Sequence, residues 1–286
     1  MRCSILLGLL ACSPTASSQD SQPIAAGTDV DKSVPPAHVE AVRKAQTLGY
    51  LLQQQDRAVW VSTDTLVEKG IAASHPEGTG WLASQQDAEG NQWVVAYTEG
   101  SGSEQVSFVD ALVTLSTDPP TVQLHLNEPG RELNDYDRFL VQYRDMVLKS
   151  DKWLRCAQNY NHSVGIEIVD GKRQFVVKLL PGRTDVNIFP LGGFHEFRFF
   201  PFEKDRKSEH FSQTKSCLAI DTSKSNPVAF VVSHLTSPTP TQFHVFMSLS
   251  YDKPIYVTTV ENELMWQVEA GRISIMKADP GAAANE

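Results

Sequence analysis

Trp81-Leu82-Ala83-Ser84, a polar turn ending in Glu89-Gly90, and Gln92-Trp93-Val94-Val95-Ala96-Tyr97 set the fold class. The period here is that of strands, and a Gly-bearing turn separates the two runs, so the stretch predicts a β-hairpin. The same pattern returns at Ile166 to Val169, Asp170-Gly171 and Gln174-Phe175-Val176-Val177-Lys178-Leu179. Two more hairpins are expected. One runs from Phe243-His244-Val245-Phe246-Met247 through Asp252-Lys253-Pro254 to Ile255-Tyr256-Val257, and the other pivots at Ala270-Gly271 between Trp266 and Ile273. Their spacing is irregular, which speaks for shared hairpin chemistry and against a solenoid repeat.

Between the first two hairpins lies a helical pattern. Asn134 is a good N-cap with Asp137 three residues on, and Leu133, Tyr136, Leu140, Tyr143 and Val147 form an apolar stripe widened by Phe139 and Met146. This helix should lie across a sheet. Before the first hairpin, residues 37 to 55 place Val39, Val42, Ala45, Leu48 and Leu52 at three- and four-residue steps behind Pro35 and Pro36, an amphipathic helix. Gly49 weakens its centre, and the pattern resumes through Ala58, Val61, Thr65 and Leu66 to Gly70, so one broken helix or two successive ones are expected. Asp56, Trp60 and Asp64 share a face, which reads as a solvated surface around a half-buried Trp, with a ligand site as the alternative.

Two helical elements and about ten short strands predict an α+β fold: an N-terminal helix and one interior helix packed on mainly antiparallel sheet, with a C-terminal half largely all-β. The expected divisions are an α+β part over 37–155, a β-rich part over 156–277 and a disordered tail over 278–286. In the second part, Phe194-His195-Glu196-Phe197-Arg198-Phe199-Phe200 carries aromatics on both faces, as expected of a strand held between layers. Glu196 and Arg198 can pair at the edge of that packing, and Leu191-Gly192-Gly193 gives the chain the backbone freedom to enter it.

The N-terminus carries an address. Arg2, the apolar run Ile5-Leu6-Leu7-Gly8-Leu9-Leu10-Ala11 and Cys12 make a segment too short to span a bilayer, but of the size of an export signal. Leu9-Leu10-Ala11-Cys12 resembles the lipobox of bacterial lipoproteins, departing from it only at Leu10, where a small residue is commoner. The resemblance implies removal of residues 1–11, a lipid on Cys12 and, with Ser13 next to it in place of Asp, delivery to the outer membrane facing the periplasm. The alternative is an ordinary cleaved signal, for instance after Ser17, leaving a soluble periplasmic protein. Residues 12–36 then form a flexible tether, since they contain few large apolar side chains and many Ser, Gln, Asp and Pro. A coil of that length holds a domain about 25–30 Å from its anchor.

Cys3 leaves with the signal and Cys12 is the lipid site, which leaves Cys156 and Cys217. In an oxidising compartment an isolated pair of this kind predicts a structural disulfide. The formal charge of −9 becomes −10 once Arg2 is removed, and no Lys/Arg stripe stands out, so a nucleic-acid partner is not expected. Lys204-Asp205-Arg206-Lys207 is the most basic run, and Glu203 and Glu209 flank it.

Catalytic and cofactor motifs fail on inspection. Gly-x-Ser-x-Gly is absent, and Gly100-Ser101-Gly102-Ser103 resembles it only in composition. Gly78-Thr79-Gly80-Trp81-Leu82-Ala83 fits a loose dinucleotide loop but leads into a strand, so no helix N-terminus would face a pyrophosphate. His195-Glu196 lacks the second His of a zinc-protease helix, and His125, His234 and His244 could converge only through the fold. Ser233-His234 closes an apolar strand, yet adjacent strand residues point to opposite faces. No metal, cofactor or nucleotide is therefore expected. Asn161-His162-Ser163 is a glycosylation sequon by chance, and Asp135-Tyr136-Asp137 is explained by helix capping. The loops at 181–185, with Arg183 and Asp185, and at 236–241, with Thr239, are candidate recognition loops.

Good address and missing chemistry predict a lipid-anchored envelope protein that binds a protein or another envelope component, as an accessory, assembly or inhibitor/immunity factor. The alternative is an exported hydrolase whose site converges in three dimensions from His195, His234, His244, Glu196 or Asp185.

Overall fold

The computed structural model describes residues 29–276, except 170, 184, 202, 204–206, 214 and 215. The expected signal, Cys12, most of the tether and the tail at 278–286 lie outside the described residues.

Helix α1 (Val39–Glu68) is unbroken over its 30 residues, and the break expected at Gly49 does not occur. Gly49 serves another purpose. A Cβ placed there would come within 2.5 Å of the Val245 Cβ and 2.6 Å of the Gln242 carbonyl oxygen, so the missing side chain lets a second helix approach. A short helix α2 (Ile71–Ser74) follows Gly70, whose φ of 71° turns the chain out of α1.

Strands β1 (Gly78–Gln85), β2 (Gln92–Glu99), β3 (Val106–Thr114) and β4 (Thr121–Glu132) then form an antiparallel meander in sequence order. The expected first hairpin is β1–β2, with Trp81 opposite Tyr97 and Ala83 opposite Val95. Trp93, Val95 and Tyr97 point at the second half of α1, where Ala58, Val59 and Leu66 complete one hydrophobic cluster. The Tyr97 hydroxyl is 2.8 Å from both Ser62 Oγ and Thr63 Oγ1, fixing helix to sheet by hydrogen bonds within that layer.

Helix α3 (Asp135–Lys149) begins where its cap predicted, with Asn134 Oδ1 accepting from the Asp137 N–H at 2.9 Å. It lays Leu140, Val141 and Val147 on a second sheet made of β5 (Tyr160–Val169), β6 (Lys172–Pro181), β8 (His195–Phe199) and β9 (Glu209–Ser212), in that order and all antiparallel. Hairpin β5–β6 turns between Val169 and Lys172, as expected. Strands β7 (Ile188–Pro190) and β10 (Ala219–Asp221) pair separately.

The last sheet corrects an expectation. Residues 243–247 are not a hairpin strand; they belong to helix α4 (Gln242–Tyr251), which carries the chain from β11 (Phe230–His234) to β12 (Ile255–Thr259), and these two strands are parallel. Phe243, His244, Val245, Phe246 and Met247 are all buried, so the helix has no wet face and its apolar run carries no visible period. The signal that remained was Thr241, an N-cap whose side chain accepts from the Phe243 N–H, with His244 reaching back in a capping box. β13 (Leu264–Glu269) and β14 (Arg272–Ile275) complete the sheet as the expected hairpin, turning on Ala270 and Gly271 with φ of 46° and 79°. The C-terminal half is thus mostly strands, and the fold is α+β with mainly antiparallel sheet.

The first half of α1 contributes Val42, Ala45 and Leu52 to the cluster around α4 and β11–β14, so one helix serves two cores. Cys156 and Cys217 form a disulfide, with Cα atoms 5.0 Å apart, joining the segment after α3 to the segment before β10. Gly193, at φ 84°, passes beside it; a Cβ there would meet the Cys156 Cβ at 2.6 Å.

Candidate functional site

A cavity of about 440 Å³ lies between the β8–β9 edge and the loop that leads into α4. Its polar wall is Glu196, Arg198, His210, Gln213, Ser237 and Gln242. Most of these are fixed by a buried group behind them.

Glu196, 2 % exposed, is held by Arg198 and by the Gln242 carboxamide, so the pairing expected inside β8 is formed and a helix residue completes it. Burying a carboxylate is costly unless its oxygens are matched, and here both are. Lys178, opposite Glu196 across β6–β8, pairs with Glu167 on the same face.

His195 is fully buried. Its Nε2 donates to the Leu154 carbonyl oxygen at 2.9 Å, which leaves Nδ1 to accept from Nε2–H of His210 at 3.2 Å. His210 stacks on Phe197 with ring centres 4.2 Å apart and faces the cavity. Burial lowers the His195 pKa to about 4, assisted by the neighbouring His210, while the bond to Leu154 works the other way.

His234 and His244 meet edge to face, with ring centres 4.9 Å apart. His244 Nδ1 accepts from the Thr241 N–H at 3.0 Å, and its Nε2 lies 3.1 Å from the Gln213 amide nitrogen. That carboxamide also bonds the Thr241 hydroxyl. Burial holds the His244 pKa well below its ordinary value, reinforced by His234. His234 Nε2 lies 2.8 Å from Ser237 Oγ, and Ser237 Oγ donates to the Thr239 carbonyl oxygen at 2.6 Å. The seryl proton is therefore committed to Thr239, and the imidazole is the donor to the hydroxyl. Burial lowers the His234 pKa to about 4, which keeps that ring neutral near pH 7.

Of the sequence candidates, Glu196 lines this cavity, and His195, His234 and His244 lie behind it, reaching it through His210, Ser237 and Gln213. Asp185 does not join them: its Oδ1 accepts from the Asn187 N–H at 2.7 Å and shapes its own turn. Arg183 is engaged in the same loop, donating to the carbonyls of Val186 and Ile188 while its guanidinium lies 4.2 Å from the centre of the Phe189 ring. Thr239 is buried, with its carbonyl bound to Ser237. Asp56 is drawn toward β5, where Asn161 Nδ2 donates to it at 2.9 Å and burial pushes its pKa up to about 6; Trp60 beside it is exposed, not half-buried. Among the described residues no three His, Cys, Asp or Glu side chains are grouped to hold a metal ion. No described helix is long and apolar enough to cross a membrane.

Sequence reasoning missed His210, Gln213 and Gln242 as lining groups. None sits in a motif, and the only local hint was Thr241, a cap that also places Gln242. Compared with protein-family models, with curated proteins and with solved structures, the chain matches none.

Proposed function

We propose that this is a lipid-anchored protein of the bacterial cell envelope, tethered through Cys12 to the outer membrane on its periplasmic side, that acts by binding a protein or another envelope component. The observation that carries a binding role is the direction of hydrogen bonding at Ser237. A nucleophilic serine donates its hydroxyl proton to an unprotonated nitrogen of the base, whereas here the proton points at Thr239 and His234 donates instead. Among the described residues no carboxylate is bonded to His195, His234 or His244, whose ring nitrogens have backbone, hydroxyl, carboxamide or imidazole partners. The residues from Ser13 up to the docked Ser33 and Val34 suit presentation of a rigid domain at a distance from its anchor, a tether shorter than the composition through Pro36 suggested.

Copurification from detergent-solubilised envelopes tests this reading: a stoichiometric partner or retained envelope component is expected, and Cys12→Ala should shift the protein out of the membrane fraction. The second reading, an exported hydrolase, draws on the 2.8 Å Ser237–His234 contact at a cavity wall. Labelling of Ser237 by a fluorophosphonate probe, with ester turnover lost in His234→Ala, would establish it in place of the first.

A further inference from the structure

We infer that the cavity between β9 and the start of α4 binds a short, uncharged saccharide segment, an inference that rests on the envelope-binding reading and names its ligand. Two larger clefts lack its construction. The one along β14, about 970 Å³, is walled by surface charges such as Asp29, Lys32, Glu269 and Arg272. The one on α3, about 520 Å³, is walled by Arg138, Asp145 and Lys149. At 440 Å³ the β9 cavity is smaller, yet within the range of roughly 300–1,000 Å³ typical of small-ligand sites.

What sets it apart is support from behind. Ser237 is held by His234, His210 by His195, Gln213 by His244, and Gln242 by Glu196. Burying three neutral imidazoles and a carboxylate around one cavity costs stability, and what it secures is a polar wall whose groups are already fixed before anything enters.

Charge and shape define the occupant. The Arg198 guanidinium is matched by Glu196, so the wall offers no spare cation for an anionic ligand and no spare carboxylate for a cationic one. It offers hydroxyl, carboxamide, imidazole and guanidinium N–H groups, suited to a ligand dense in hydroxyls and amides. Phe211, 47 % exposed, adds an aromatic surface with Arg198 lying 4.7 Å from its ring centre on one side. A sugar ring meets both demands at once, resting its C–H face on the aromatic and turning its hydroxyls to the polar wall. A fully apolar ligand would strand the donors.

The experiment is titration of the full chain in detergent with the trisaccharides of N-acetylglucosamine and of glucose, followed by calorimetry and by the shifts of histidine ring signals in NMR. Binding of at least one trisaccharide is expected, with His210 and the groups beside it perturbed. Phe211→Ala should weaken it about tenfold with an unchanged thermal midpoint, and His210→Ala about tenfold with a lowered midpoint, because buried His195 loses its donor. Ser237→Ala should weaken it less, about threefold. Absence of binding at millimolar saccharide in a folded wild-type chain overturns the inference, as does binding untouched by both Phe211→Ala and His210→Ala. If saccharides fail while a protein partner still copurifies with the wild-type chain, the saccharide site falls and the binding role stands; if neither is retained, both fall.

Discussion

Sheets β1–β4 and β11–β14 each have four strands and each packs on α1, but they are built in opposite ways. The first is a meander in which each strand pairs with its neighbour in sequence; the second includes a parallel pair joined through a helix buried on every side. Where one face of an element is wet, its period is written in the residues. Where all faces are dry, apolar residues fill every position and the period disappears. The connection through α4 also walls the polar cavity with Gln242 and Phe243, and β11 and α4 carry the buried His234 and His244, so the connection that is harder to read is the one that reaches the candidate site.

The strongest way to sharpen this contrast is acid. In the unfolded chain each histidine titrates near 6.5, whereas burial holds His195 and His234 near 4, so the unfolded state binds more protons between those values. Their contribution is fully present above about pH 6.5 and is lost as pH falls toward 4. At about 1.4 kcal/mol per pH unit and group, these two alone lower stability by about 5 kcal/mol between pH 6.5 and 4.5. Asp56, pushed up to about 6, has the opposite sign below pH 6 and offsets part of the loss. Urea unfolding at stepped pH should show the fall, to which His162, held near 3 by burial beside the Trp81 carbonyl of β1, adds. A urea midpoint that stays flat between pH 6.5 and 4.5 would deny the histidines that role.

Removing the cross-link by Cys156→Ser with Cys217→Ser frees a loop spanning 61 residues and should cost up to about 4 kcal/mol, read as a lowered urea midpoint. Glycines give a finer contrast. Gly49→Ala forces a methyl group against Val245 and the Gln242 carbonyl, so overpacking of about 1–3 kcal/mol should exceed the gain of about 1 kcal/mol in helix propensity. Gly165→Ala, with nothing within 4 Å of the added carbon, should stay within about 0.5 kcal/mol of wild type by thermal melting. The two caps test the buried network. Asn134→Ala should cost about 1 kcal/mol, and Thr241→Ala up to about 2 kcal/mol, because Thr241 also bonds Gln213 and His244. Equal losses at the two caps would deny the buried network any stabilising role.

Much of the fold was legible for local reasons. Hairpins β1–β2, β5–β6 and β13–β14 each announce themselves by a Gly-bearing turn, and α3 by Asn134 ahead of a one-sided apolar stripe. Gly49 was misleading because propensity weighs a residue within its own helix, while its value lies in the approach of α4. Cys156 and Cys217 were legible by elimination. In the candidate site the histidines and Glu196 could be named singly, but their convergence could not: His195 meets Leu154 across 41 positions and Glu196 meets Gln242 across 46. Nothing short-range in the sequence encodes those contacts, and the meeting of α4 with β8 depends on a helix that its own residues disguise.

The way the chain enters α1 has a mechanical consequence. Ser33 Oγ accepts from the Ile275 N–H at 2.9 Å, Gln46 Oε1 from the Ile273 N–H at 2.8 Å, and Val34 is buried in the same cluster as Val42. A pull on the N-terminal side is thus first borne by two clasps on the border strand β14, and then spread along a rod of about 45 Å seated in both halves. Tension arriving from an anchor would load the whole domain instead of peeling away its first turn.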